Sequence, residues 1–150
     1  MQAFVRGSPL PALAWLLGLS GLIPFALLGL GTALGWDGLR FPLLAYGATI
    51  LAFLGAVHWG LALRAAPDEK PAERARLVLG VVPSLVAFVA LVLPVPVGLA
   101  LVAGAILLTA AMETVAHQAG LMPPGYLWLR WLLSLGAALS LTLGMIFSTG

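Results

Sequence analysis

The chain contains no cysteine. Disulfides, thiolate metal sites and cysteine nucleophiles are therefore excluded. Charge is nearly as scarce: 8% of residues are Asp, Glu, Lys or Arg, where a soluble domain carries roughly a quarter. A net charge of +2 is too small to point to nucleic acid as a partner. No glycine-rich phosphate loop, nucleophile elbow or pair of carboxylates at a usable spacing occurs, which leaves soluble-type enzyme chemistry without support. Apolar surface is abundant instead. With 62% hydrophobic residues and a mean hydropathy of +1.12, the 150-residue chain has more than a water-exposed fold could bury, and its uncharged runs are long enough for lipid. The expected class is an all-α integral membrane protein, a single membrane domain over residues 1–150.

The runs predict a bundle of five transmembrane helices, over residues 9–34, 41–63, 77–93, 97–116 and 126–147. The first is longer than the apolar core of a signal peptide and no A-x-A-like site follows, so it is read as a retained span. Pro24 within it removes one helix hydrogen bond and leaves the carbonyl of Ser20 in need of a partner. Residues 64–76 form the one long hydrophilic segment, mixed in sign and read as a surface loop leading into a helix. Pro83 predicts a kink in the third span, and Pro94-Val95-Pro96 an abrupt turn after it.

Small residues mark packing faces. Ala48, Ala52, Ala56 and Gly60 recur at intervals of four in the second span, as do Gly136, Ser140, Gly144 and Ser148 in the fifth. Each set is expected to admit a neighbouring helix closely. His58 lies on the opposite side of its helix from Ala56 and Gly60, at about 100° per residue. The second helix is accordingly expected to need protein on two faces and to be central.

Orientation follows from Lys and Arg. With loops on alternating sides, Arg6, Arg64, Lys70, Arg74, Arg76 and Arg130 share one side and Arg40 stands on the other. The positive-inside rule puts the amino terminus and loop 64–76 in the cytoplasm and the carboxyl terminus outside. Trp15, Trp59, Tyr126, Trp128 and Trp131 then gather at the cytoplasmic interface, and Trp36, Phe41 and Tyr46 at the outer one.

This topology brings ionisable groups from three helices to one depth: His58, Glu113, His117 and Arg130. Such residues inside a membrane are candidate functional groups. For His58 the structural alternative is a ring bonded to a carbonyl, one released by Pro24 or Pro83. For Glu113 it is an ion pair with Arg130 or Arg64, and for His117 solvation at the interface. The functional alternatives are a proton site, a quinone or lipid-headgroup pocket lined by His58, Trp59, Glu113 and Arg130, a metal held by His58, Glu113 and His117, and a haem between His58 and His117. Glu-x-x-x-His is not the zinc-protease helix motif, so no metal is assigned and the cofactor stays open.

Four stretches carry a family resemblance: GLIPF at 21–25, YGATILAFLGAVHWGLAL at 46–63, LGVVPSLVAF at 79–88 and GLMPPGYLWLRWLLS at 120–134. Together they resemble the transmembrane protein 69-like family of small bacterial inner-membrane proteins, a domain of unknown function. Phe88 and the Trp131-Leu132-Leu133 segment depart from the pattern. The resemblance implies a multi-pass protein of the bacterial inner (cytoplasmic) membrane with a His58-Trp59-Gly60 motif, and no activity. The expected function is a non-catalytic accessory or assembly component that packs against other membrane proteins or itself in the bilayer. The alternative is proton-coupled transport, or small-ligand binding at the His/Glu/Arg cluster.

Overall fold

A computed structural model describes residues 10–63, 70–118 and 125–147. All regular structure among them is helical: α1 (Ala12–Ser20), α2 (Leu22–Ala33), a single 3-10 turn (Asp37–Leu39), α3 (Arg40–Leu63), α4 (Lys70–Val92), α5 (Val95–Gln118) and α6 (Tyr126–Ile146). Five helical segments are long and apolar enough to cross a membrane, α1 and α2 together supplying the first. Arg6, Arg64, Asp68, Glu69 and Ser148 lie outside the described residues.

The first span is divided at Gly21, not at Pro24. Tyr46 donates a hydrogen bond of 2.8 Å to the Gly21 carbonyl, and its ring meets Phe25 edge-on at 4.8 Å. Tyr46, expected at the interface, is thus a partner for the α1–α2 joint, because a carbonyl at a helix break inside an apolar layer has no water to bond. Helix α2 ends where Gly35 adopts a left-handed φ of 88°. Its N–H bonds to the Thr32 carbonyl and that of Trp36 to the Gly31 carbonyl, both at 3.0 Å, the paired closure of a Schellman motif.

Helix α4 begins at Lys70, so residues 70–76, expected in a surface loop, form its first two turns, and it continues through Pro83. Arg76 is buried there. The Pro94 turn reverses the chain so sharply that a side chain at Gly98 would overlap the Ala90 carbonyl of the preceding helix.

Helix α3 is central: it touches α2, α4, α5 and α6, while α1 meets only α2 and α6. Leu43, Leu44 and Leu51 of α3, Leu99, Val102 and Ile106 of α5 and Leu141 of α6 are almost wholly buried. Within the chain, α3 packs along one face. Its buried face runs Ala48, Leu51, Gly55, His58, Ala62; Ala52 is half-buried, and Ala56 and Gly60 are exposed. Gly55 allows α3 and α4 to meet closely, a Cβ there lying 2.6 Å from the Gly80 carbonyl.

The small face of α6 is occupied from within the chain. A Cβ at Gly136 would stand 3.0 Å from Leu22, Gly29 of α2 sits against Ser140, and a Cβ at Gly144 would come 2.7 Å from Leu43.

Candidate functional site

One end of the bundle collects the buried charge. Glu113 sits near the end of α5, Arg130 one turn into α6, and His58 near the end of α3. They are 1%, 4% and 6% exposed, respectively. Antiparallel neighbours bring the end of one helix to the start of the next, which is why residues far apart in sequence share this depth.

Arg130 organises the cluster. Its Nε donates to Glu113 Oε2 at 2.6 Å, Nη1 to Ser134 Oγ at 2.6 Å and Nη2 to Thr109 Oγ1 at 2.8 Å. Thr109 and Ser134 pass their own protons to the carbonyls of Ile106 and Arg130. Tyr126 donates to Glu113 Oε2 at 3.2 Å. His58 Nε2 stands 3.2 Å from Glu113 Oε1, and Oε1 accepts no aligned hydrogen bond. The carboxylate and guanidinium therefore form a formally neutral pair bridging α5 and α6, with the imidazole of α3 at the remaining oxygen. A buried pair of this kind compensates its desolvation only when its remaining hydrogen-bonding capacity is met; here α5 and α6 supply the hydrogen-bond partners, and Oε1, beside His58 of α3, is left without one.

His58 is accordingly not bonded to a carbonyl freed by a proline; its partner is Glu113. Trp59, the next residue, points elsewhere. Its indole lies over Gly80 of α4, where a side chain would collide with it, and donates to the Leu77 carbonyl at 3.1 Å. Trp59 therefore tethers α3 to α4. Trp131 plays a similar part between α6 and α5, donating to Thr114 Oγ1 at 2.9 Å. His117 belongs to the last turn of α5, but its side chain lies outside the described residues. Among the described residues no three His, Asp or Glu side chains converge as metal ligands would.

Tyr126, expected only as an interface aromatic, joins the cluster, and sequence reasoning also missed Ser134. The signal for it is its place four residues after Arg130, one turn along the same face.

Beside the cluster a cleft of about 150 Å³ runs between α1, α2, α3 and α6. Its walls are apolar, from Leu17, Leu22, Phe25, Ile50 and Leu54 among others, and Arg130 and Ser134 are its polar lining residues. Leu17 of α1 and Phe53 of α3, both lining the cleft, are 60% and 64% exposed. The cleft thus opens to the outside of the bundle.

A family model described as "Protein of unknown function (DUF3429)" matches residues 10–146. Transmembrane protein 69 of Xenopus tropicalis is 42% identical over 92 residues, which cover 58% of this chain and 34% of that protein. Transmembrane protein 69 of Mus musculus is 42% identical over 73 residues, 47% of this chain and 28% of that one. The chain spans about a third of the length of these curated relatives. No solved structure matches.

Proposed function

The chain belongs to the DUF3429 family and is a multi-pass membrane protein, and from that premise we propose that its role is non-catalytic, that of an accessory or assembly component in a bacterial inner membrane. The amino terminus faces the cytoplasm in this reading, as the distribution of Lys and Arg favours. The observation that carries it is the face of α3 bearing Ala52, Ala56 and Gly60. Ala56 and Gly60 are exposed, and among the described residues no neighbouring helix comes within 4 Å of a Cβ placed at Gly60. Small residues at helix surfaces in lipid let another helix approach. The small face of α6 is already occupied by α2 and α3, so a docking role passes from Gly144 to Gly60.

The test is a photo-crosslinking residue at position 56 or 60 in the native membrane. A discrete adduct with another membrane protein, or with a second copy, that is lost in the Gly60→Leu variant supports the reading. Adducts with lipid alone would remove it.

A second reading, binding of a small amphiphile, is favoured by the cleft that Arg130 lines. Proton-coupled transport would rest on the His58–Glu113 contact alone.

A further inference from the structure

The cleft beside Arg130 pairs two features that seldom occur together: walls of hydrocarbon and a guanidinium in the lining. Arg130 is only 4% exposed, yet it lines the cavity together with Ser134. Its bonds to Glu113, Ser134 and Thr109 engage one N–H on each of its three nitrogens. A guanidinium carries five N–H donors, so one on each terminal nitrogen is not used by these three bonds. From these features we infer that the cleft binds the head of a neutral, ring-bearing bilayer amphiphile, an isoprenoid quinone, with one quinone carbonyl accepting from Arg130.

Three physical arguments select this occupant. The first is charge. Glu113 already balances Arg130 at 2.6 Å, so an anionic head would bring a second negative charge beside a buried carboxylate, and a cationic one would meet the guanidinium. A neutral acceptor meets neither penalty. The second is size and shape. A volume of about 150 Å³ matches cavities that hold one benzene-sized ring. Phe25 and Phe53 line the cleft and offer aromatic surface against which a ring can pack. The third is depth. Arg130 lies four residues into the span that begins at Tyr126, about 6 Å along the helix axis. A phospholipid headgroup would have to leave the interface to reach it, whereas a quinone head already resides in the apolar layer.

Access is also provided. Leu17 and Phe53 of the lining are exposed at the outside of the bundle, so a tail can remain among the lipid chains. On the α1 side the wall belongs to a helix with no buried residue of its own. This inference stands apart from the docking face of α3, which uses Ala52, Ala56 and Gly60.

The test uses the full chain in phosphatidylcholine nanodiscs with a photoreactive azido-benzoquinone bearing a short alkyl tail, its adducts mapped by peptide mass spectrometry. Labelling is expected to saturate near one quinone per chain, to fall on cleft residues of α1, α3 or α6, and to be displaced by excess decyl-benzoquinone. Leu133→Trp fills the cleft from a half-buried position and leaves Arg130 and Glu113 in place. It should weaken labelling by at least about tenfold, the loss expected from overfilling a fitted site. Unchanged labelling in Leu133→Trp would overturn the inference. So would labelling that never saturates, that falls on the outer surface at Trp128, or that phosphatidylglycerol displaces as readily as quinone does. If Leu133→Trp does not fold, saturation, displacement and mapping in the unaltered chain decide the question by themselves.

Discussion

Two arginine–carboxylate pairs stand at opposite ends of the bundle, and they could hardly differ more. Arg130 and Glu113 are 4% and 1% exposed and join α6 to α5. Arg40 and Asp37 are 16% and 53% exposed and lie three residues apart, across the start of α3. At the first end the pair is the joint: three helices converge on it, and two hydroxyl side chains and a phenol bond to it. At the second end packing joins the helices. Leu43, Leu99 and Thr32 close around Gly144, while Arg40 adds one reach to the Phe147 carbonyl at the end of α6, at 2.9 Å. The same two chemical groups thus do different work according to what surrounds them. Attraction in water is weak and screened, while attraction among buried groups is strong but must offset desolvation.

The largest effect should come from breaking the buried pair on one side only. Arg130→Met leaves the Glu113 carboxylate without its counter-charge and is expected to cost about 3–5 kcal/mol, measured by reversible unfolding in mixed micelles. Adding Glu113→Leu should recover most of that loss. A double variant no more stable than the single one would mean that the pair is not the joint described here. At the other end, Gly144→Leu forces a branched side chain against Leu43 and should cost about 1–3 kcal/mol by overpacking. The smallest effect is expected for Asp37→Ala, about 0–1 kcal/mol and shrinking as salt is raised. A loss at Asp37 as large as that at Arg130 would erase the contrast between the two ends.

Much of this arrangement could be read in the chain. Uncharged runs of membrane length gave five spans because lipid tolerates little else, and the depths of His58, Glu113 and Arg130 followed from counting along antiparallel helices. The face of α3 could not be read from spacing alone. Residues four apart advance about 40° around a helix of 3.6 residues per turn. Over the three steps from Ala48 to Gly60 that drift carries the stripe from a buried position to an exposed one. The face that does pack alternates steps of three and four, Ala48, Leu51, Gly55, His58, Ala62, and mixes large, small and polar residues. A search for small residues passes over it. The α6 stripe spans only two such steps between Gly136 and Gly144, so it stays within the part of α6 that α2 and α3 cover. The partner of His58 was hidden for a different reason: proline-freed carbonyls and Glu113 were equally available in the sequence, and only the packing of α3 against α5 chooses. The cleft had no signature at all, since it is bounded by ordinary leucines and phenylalanines from four helices.

The sharp turn between α4 and α5 bears on how the chain enters a bilayer. From Leu77 to Met112 there is no ionisable side chain, and the link at Leu93 and Pro94 is so short that Gly98 lies against Ala90. Carrying a charged side chain to the middle of a membrane costs about 2.5–3.5 kcal/mol on insertion scales, and this link has none to carry. The two helices can therefore cross together as one hydrophobic hairpin, leaving the charges on either side of them to fix which way the hairpin points.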